Sequence, residues 1–205
     1  MEIYTYPLGD LQANCYVLVN EDTREAVAID VGATPQFLAL EELKHNYKIK
    51  EVLLTHCHFD HVGGASYFVN RGATCKIGKT ELSNLKNSAV NLSCMFGEEI
   101  QDFEVETVQD GQVFTTCGLT FEVIETPGHT SGSVCYKIDK NIFTGDLLFN
   151  GSFGRYDFPT GNVKELIKSI KKVFKFENLT VYSGHGEKTD IQTERLYNPI
   201  RSYFD

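Results

Sequence analysis

The sequence lacks any apolar run close to the roughly 20 residues that a membrane-spanning helix needs, and its mean hydropathy is −0.23. Its start, Met1 to Tyr6, has no basic stretch and no long apolar region, so we expect no secretory signal. The six cysteines are scattered and form no C-x-x-C pair. Without a signal, reduced thiols are expected rather than disulfides. These absences predict a cytoplasmic protein that does not bind membranes.

Positive charge is also scarce. The chain has 19 lysines and arginines against 28 acidic residues, which gives a net charge of −9. A broad nucleic-acid-binding surface would need a basic face, so we expect no nucleic-acid partner. What the chain does have is 41% hydrophobic residues in a length of 205, which is enough for a buried core. The length predicts a single domain over residues 1–205, built as two similar halves.

One short stretch concentrates side chains that bind metals. Residues 55–64 read Thr-His-Cys-His-Phe-Asp-His-Val-Gly-Gly and follow an apolar strand. Buried imidazoles and carboxylates without partners are costly, and a shared cation removes that cost. His56 and His58 project to the same side of an extended segment, whereas Asp60 and His61 follow at a turn and can face a second point. The spacing therefore predicts two metal ions side by side.

Three later strands lead into similar residues. Runs rich in β-branched and aromatic residues that begin at 121, 141 and 179 end in Pro-Gly-His129, Gly-Asp146 and Ser-Gly-His185. Each of these residues alone is more typical of a structural role. Active sites of layered α/β proteins, however, gather where strands end. The joint pattern predicts that all of them converge with the first cluster at one edge of the sheets.

The helices are predicted from apolar spacing and from glycine and proline positions. We expect helices from Pro35, over residues 62–70, over residues 163–175, and near residues 192–204 with an interruption at Pro199. The first should bury Phe37, Leu38, Leu40 and Leu43 and expose Glu41, Glu42, Lys44 and His45. The polar middle, residues 78–101, should hold one short helix and a loop that can cover the site. Within it, Cys94, Met95 and Phe96 are expected to be core, and a patch that covers the substrate or contacts a second subunit is the alternative.

The predicted ligands suit a hydrolytic metal pair. Two divalent ions about 3.5–4 Å apart can share a water and lower its pKa toward about 7. A carboxylate such as Asp146 can bridge them because it has two oxygens. The set of imidazoles and carboxylates contains no thiolate, so zinc fits, and iron or manganese is also compatible.

The order of these motifs resembles a known family. T-H-x-H-x-D-H followed by G-H, G-D and G-H is similar to the metallo-β-lactamase superfamily over nearly the whole chain, and most similar to its glyoxalase II (hydroxyacylglutathione hydrolase) group. The segments 13–18, 126–133 and 145–149 carry the narrower resemblance. The resemblance implies an α/β fold, a four-layer αβ/βα sandwich of two similar halves.

The resemblance also implies which residues bind which metal. One ion is expected on His56, His58 and His129, the other on Asp60, His61 and His185, with Asp146 bridging both. Asp60 and Asp146 are expected to be essential for catalysis, with Asp60 orienting the nucleophile or accepting its proton.

Two features depart from full-length glyoxalase II. Only twenty residues follow His185, so we expect no C-terminal glutathione-binding helical domain. Arg155 falls where that group usually carries a substrate-binding lysine, and Asp157 replaces the usual tyrosine. Arg155 is therefore predicted to bind the substrate, and a surface ion pair with Asp157 is an equal alternative.

These observations predict a binuclear metal-dependent hydrolase that cleaves a small-molecule thioester with a metal-bridging hydroxide. A thiol has a pKa near 8.5 and leaves without a general acid, whereas a lactam nitrogen would need a proton donor, so β-lactamase activity is disfavoured. One alternative is a persulfide dioxygenase, which by resemblance would hold one iron on His56, His129 and Asp146. A lactonase or esterase is another. The acidic charge disfavours a nuclease, and the complete ligand set disfavours a non-catalytic protein. The sequence does not give the oligomeric state.

Overall fold

The computed structural model describes residues 1–204, which form two six-stranded sheets and a small hairpin. The first sheet contains, in spatial order, β1 (Glu2–Leu8), β2 (Ala13–Val19), β3 (Glu25–Ile29), β4 (Lys48–Leu54), β5 (Thr74–Gly78) and β6 (Glu106–Val108). The second contains β7 (Val113–Thr116), β8 (Leu119–Glu125), β9 (Val134–Ile138), β10 (Asn141–Gly145), β13 (Thr180–Ser183) and β14 (Thr189–Asp190). The hairpin pairs β11 (Leu148–Phe149) with β12 (Ser152–Phe153).

The helices are short and lie between the strands. The first half of the chain carries α1 (Pro35–His45), α2 (Phe59–Val62), α3 (Ala65–Val69), α4 (Glu81–Leu85) and α5 (Ser93–Phe96). The second half carries α6 (Val163–Val173), α7 (Ile191–Tyr197) and a 3-10 helix (Pro199–Tyr203). Among the described residues, no helix combines the length and the apolar character needed to cross a membrane.

Three buried apolar clusters define the layers. Side chains of β2 alternate between two of them, with Val17 packing toward α1 and α3 and Leu18 packing toward the second sheet. The third cluster lies between the second sheet and α6, where Leu166 and Ile170 are fully buried. Both sheets therefore have one face on each other and one face on helices. This helix–sheet–sheet–helix arrangement confirms the predicted four-layer α/β sandwich.

Most predicted strands are present, but β5 and β9 are not predicted from the sequence. Both are central strands of five residues, and both contain a lysine, Lys76 or Lys137, between buried neighbours. Such short segments show neither a long apolar run nor a clean alternation. Their strand conformation comes from pairing with neighbours on both sides, which a local pattern does not record.

The predicted burial of α1 is wrong for three of its four apolar residues. Leu38 is buried, but the others are exposed: Phe37 by 43%, Leu40 by 64% and Leu43 by 80%. Glu42, which was expected to be exposed, is 4% exposed. Its carboxylate accepts a hydrogen bond from the backbone N–H of Ile49 at 2.7 Å and pairs with Lys48 at 3.4 Å. These polar contacts turn the acidic side of the helix toward the protein.

The helix predicted over residues 62–70 is divided at Gly63-Gly64. The Gly64 N–H donates to the carbonyl of Val31 at 2.9 Å instead of continuing a helix, and a Cβ on Gly64 would lie 2.8 Å from the carbonyl oxygen of Gly32. Glycine allows this close approach between the two backbones. The predicted interruption at Pro199 is confirmed, since α7 ends before it.

The segment Cys94–Phe96 was expected to be core, and this is wrong. Met95 is 65% exposed and Phe96 is 51% exposed, and Cys94 is exposed as well. The ring of Phe96 packs instead against Phe59, with ring centroids 4.5 Å apart. This contact holds α5 over the first residue of α2, next to Asp60.

Candidate metal centre

The ends of four strands position the predicted ligands. His56 and His58 follow β4, His129 follows β8, Asp146 follows β10 and His185 follows β13. Asp60 and His61 lie in α2, which begins directly after His58. The structure brings all of these residues together at the edge where the strands end.

Two groups of the predicted ligands are each close enough to hold one cation, and a third such set, Asp30, His56 and His61, shares one histidine with each of them. In the first, ligand atoms of His56, His58 and His129 lie within 4.8 Å of one another. In the second, the same holds for Asp60, His61 and His185. These are the two sets of three that the resemblance to the metallo-β-lactamase superfamily implies. Their donor types, imidazole nitrogen and carboxylate oxygen, suit divalent transition metals.

Asp146 lies between the two groups. Its Oδ2 is 3.4 Å from Nε2 of His129 in the first group. Its Oδ1 is 3.4 Å from Nε2 of His61 in the second group. Oδ2 also lies 3.7 Å from Nε2 of His185 in the second group. The Asp146 carboxylate is therefore within 4 Å of both groups, which is the position that a bridging ligand requires.

Hydrogen bonds fix the orientation of four imidazole rings. Each ring directs Nδ1 outward to an oxygen: His56 to Thr55 Oγ1 (3.0 Å), His61 to Asp30 Oδ2 (2.9 Å), His129 to the Arg155 carbonyl (2.7 Å) and His185 to the Leu11 carbonyl (3.1 Å). With Nδ1 donating, Nε2 is the unprotonated nitrogen that can bind a metal. His58 is reversed, because its Nδ1 lies 2.9 Å from Nε2 of His129 and so faces the group.

Two imidazoles of the first group, those of His56 and His58, are neutral without a metal. Burial lowers the pKa of His56 well below its usual value, and neighbouring imidazoles lower it further. Burial and the adjacent His129 lower the pKa of His58 to about 3. A proton therefore does not compete with a metal for these two rings at neutral pH.

The second group carries charge of both signs. Burial opposes protonation of His61, but the carboxylates of Asp60 and Asp146 outweigh it and raise the pKa of His61 to about 10. Burial would raise the pKa of Asp60, but His61 and His185 hold it well below its usual range. Protons on these imidazoles offset the carboxylates in the metal-free chain, and a divalent cation would replace those protons.

The residues fit a metal centre by a second criterion. Nε2 of His56 and Oδ1 of Asp146 are buried and have no hydrogen-bond partner. Buried polar atoms in proteins are normally paired. Both atoms face the groups described above, and a cation bound there would satisfy them.

Comparison with known proteins agrees with this geometry. A profile of the Metallo-beta-lactamase superfamily matches residues 8–185. The chain belongs to the metallo-β-lactamase superfamily. Members of this superfamily are metal-dependent hydrolases. The hydroxyacylglutathione hydrolase GloC of Haemophilus influenzae is 33% identical over 216 residues, which cover 98% of this chain and 98% of the relative.

Two solved structures share the fold of this chain closely. BLEG-1 B3 metallo-β-lactamase superposes with a TM-score of 0.91 at 33% identity, covering 97% of this chain and 98% of that one. TTHA1623 in a di-iron-bound form gives a TM-score of 0.86 at 30% identity, covering 96% and 98%.

Asp30 belongs to this metal centre, although the sequence pattern assigned it no role. It is 3% exposed, and its Oδ2 accepts hydrogen bonds from His61 Nδ1 at 2.9 Å and from the Thr55 hydroxyl at 2.7 Å. Its Oδ1 accepts from the Thr55 N–H at 2.8 Å. Asp30 thus orients His61 directly. A signal was available, since Asp30 directly follows a buried strand, as the predicted ligands do.

Glu81 is a second residue that was not predicted. It is fully buried, and its carboxylate accepts hydrogen bonds from the N–H of Cys57 at 2.9 Å and of Gly132 at 2.7 Å. It therefore ties the loop of His56 and His58 to the loop that follows His129. Nothing local in the sequence marks it, because it lies at the start of a short helix in the polar middle.

Arg155 lies at the rim of the centre, where its side chain pairs with a neighbouring carboxylate. The side chain is 57% exposed and forms two hydrogen bonds to Asp157, at 2.8 and 2.7 Å. Its guanidinium also stacks 3.8 Å above the centroid of the Phe158 ring. The ion pair that was an equal alternative is present, and binding of substrate by Arg155 stays a prediction.

Proposed function

We propose that this protein is a binuclear metal-dependent hydrolase of thioesters, of the hydroxyacylglutathione hydrolase type. The observation that carries the proposal is the pair of three-residue groups with the carboxylate of Asp146 within 4 Å of both. The similarity to GloC over nearly the full length of both chains supports the thioester substrate. The cytoplasmic location and the small-molecule substrate predicted from the sequence belong to the same proposal.

In this proposal the seven residues hold two ions. His56, His58 and His129 would hold one, Asp60, His61 and His185 would hold the other, and Asp146, which lies near both groups, would contact both ions. Two bound divalent ions would supply hydroxide near neutral pH, because they lower the pKa of a bound water toward about 7. Zinc is the metal we propose, and the di-iron form of the similar TTHA1623 supports iron as the alternative.

The chain's own residues then have defined tasks. Hydrolysis adds water across the C–S bond, and the products are a carboxylic acid and a thiol. The side chain of Asp60 is 14% exposed, so a carboxylate oxygen can accept a hydrogen bond from the attacking water. A thiol with a pKa near 8.5 leaves as thiolate, so no proton donor is required. Arg155 would contact the substrate from the rim.

Other activities of the same scaffold are the alternatives. Lactam hydrolysis is the activity in the name of the similar BLEG-1, but a departing amide nitrogen needs a proton. A lactonase or esterase would use the same centre as the thioesterase. A persulfide dioxygenase would need a single iron, for which His56, His129 and Asp146 are the predicted ligands.

The decisive experiment combines elemental analysis with hydrolysis assays on the same sample. We expect about two metals per chain and cleavage of S-lactoylglutathione or of the neutral S-butyryl-N-acetylcysteamine. Asp60→Ala and Asp146→Ala should each abolish turnover while the chain stays folded. One iron, no hydrolysis and oxygen uptake with a persulfide would replace the proposal by the dioxygenase. Two metals with cleavage of lactones or lactams alone would replace it by that activity.

A further inference from the structure

A cleft of about 640 Å³ opens beside the metal centre. Its walls come from the turn between β1 and β2, the start of α1, the start of α2 and the segment after α5. Asp60 belongs both to this cleft and to the second group of the metal centre. A substrate held at the centre would therefore have this space next to its reacting bond.

Two further contacts connect the cleft to the centre. The carbonyl of Leu11 accepts the hydrogen bond from His185, while Leu11 itself lines the cleft and is 43% exposed. On the other wall, the exposed ring of Phe96 packs on Phe59, the residue before Asp60. The apolar surface next to the metal ligands is thus placed by the same residues that orient them.

The charge of the cleft has one sign. Asp10, Glu98 and Glu99 are exposed and line it, and no lysine, arginine or histidine of the described chain does. On the Phe158 side of the centre, the charge of Arg155 is offset by its bidentate pair with Asp157. Neither side therefore offers an unpaired cation to an anionic substrate group.

Resting on the proposed function, we propose that this cleft receives one substituent of the thioester and selects an apolar group that is neutral or positively charged. Apolar walls favour a group with buried hydrocarbon. Three carboxylates favour a cation and disfavour a carboxylate placed among them. Substrates carrying an anionic group such as that of glutathione would then be hydrolysed less efficiently than cationic ones.

The test uses metal-loaded enzyme and two sets of thioesters in which one substituent is cationic, neutral or anionic. In the first set the thiol varies: butyrylthiocholine, S-butyryl-N-acetylcysteamine and S-butyryl-3-mercaptopropionate. In the second the acyl group varies on N-acetylcysteamine: 4-trimethylammoniobutyryl, butyryl and succinyl. Release of thiol gives kcat/KM. In one of the two sets we expect kcat/KM of the cationic thioester to exceed that of the anionic one by about tenfold at low salt. The ratio of the two values should fall as salt is added.

A triple variant, Asp10→Asn, Glu98→Gln and Glu99→Gln, should reduce that ratio to near one. A matched variant changes three exposed acids elsewhere by the same net charge: Glu104→Gln, Asp139→Asn and Glu177→Gln. It should leave the ratio unchanged. Equal kcat/KM for all charges in both sets, or the same response in both variants, would overturn the proposal.

Failure of the proposed function gives a different result, namely no cleavage of any thioester by the metal-loaded protein. In that case calorimetric titration with thiocholine and with 3-mercaptopropionate still tests the cleft. Tighter binding of thiocholine that is lost in the triple variant would support the charge selection. Equal binding, or tighter binding of 3-mercaptopropionate, would overturn it.

Discussion

Changing Asp30 to Asn should weaken metal binding without unfolding the protein. In the native chain the Asp30 carboxylate accepts a hydrogen bond from the Nδ1–H of His61 at 2.9 Å, and the Nε2 of His61 faces the second group. An asparagine can place its oxygen toward the Thr55 N–H, and its NH₂ then faces His61. The ring can accept that hydrogen bond only if its proton moves to Nε2. The nitrogen that should bind the metal would then carry a proton.

The expected loss follows from this change of tautomer. Substitution of a residue that orients a metal-binding histidine typically costs about 10–100-fold in metal affinity, which is about 1.4–2.7 kcal/mol. The metal-free chain should stay folded but lose some stability, because its His61 is protonated and pairs with the Asp30 carboxylate. Asp30 has a backbone φ of +57°, a conformation that asparagine also tolerates, so the substitution itself should not strain the backbone.

Competition with a chelating dye measures the metal affinity, and thermal unfolding of the metal-free protein measures stability. Asp139→Asn is the control, because Asp139 has a φ of +50° and is exposed at the turn between β9 and β10. It should leave both quantities unchanged. An Asp30→Asn protein that binds two metals with native affinity would refute the orienting role of Asp30.

Three other predictions test the surroundings of the centre. Glu81→Gln leaves one of two buried N–H groups facing an amide NH₂, so the free energy of unfolding should fall by about 1–3 kcal/mol and metal affinity should fall with it. Gly184→Ala would place Cβ 2.2 Å from Asp146 Oδ1, and the displaced carboxylate should reduce metal content in a folded chain. Of the six thiols only that of Cys94 is exposed, and burial raises the pKa of Cys135 to about 12. One thiol should therefore react rapidly with a disulfide reagent at pH 8, and six in denaturant.

The two substitutions have matched controls, and the thiol reaction has an outcome that would contradict its prediction. Glu42→Gln changes another buried carboxylate that accepts a backbone N–H, at 2.7 Å from Ile49, and should destabilise the chain with metal affinity unchanged. Equal effects of both glutamate variants on metal affinity would argue against loop positioning by Glu81. A Cβ added to Gly186 would meet no atom within 4 Å, although the φ of +74° at this position is strained for alanine, so Gly186→Ala should lose some stability but retain its metals. Rapid reaction of several thiols would show that the core opens more readily than its burial indicates.

The predicted ligands could be read from the sequence because each signal is local. A strand of apolar residues that ends in a metal-binding residue is contained in fewer than ten positions, and it recurs at His129, Asp146 and His185. The layered fold then brings strand ends to one edge. Glu81 has no such signal. Its partners Cys57 and Gly132 are 24 and 51 residues away, so its role exists only after the chain has folded.

The wrong prediction of the buried face of α1 also comes from contacts between distant parts of the chain. Spacing of apolar residues predicted a buried face, but the neighbours of a helix decide which face is covered. Glu42 is drawn inward by a backbone donor and a lysine that belong to β4. A carboxylate with such partners can be buried at low cost, and Leu40 and Leu43 then point outward. Apolar periodicity is weakest where buried polar groups find partners from another element.

The distribution of charge around the centre bears on how a substrate would lie in it. Divalent ions would give the centre a positive charge that exceeds the negative charge of Asp60 and Asp146, so an electron-rich atom such as a carbonyl oxygen is favoured there. The adjoining cleft has the opposite sign because of Asp10, Glu98 and Glu99. A thioester with a neutral or cationic substituent suits both charges, because its carbonyl oxygen can lie at the positive centre and its substituent in the negative cleft. A substrate with an anionic substituent is attracted only by the positive centre. Its anionic group would then be drawn to the position that the carbonyl must occupy.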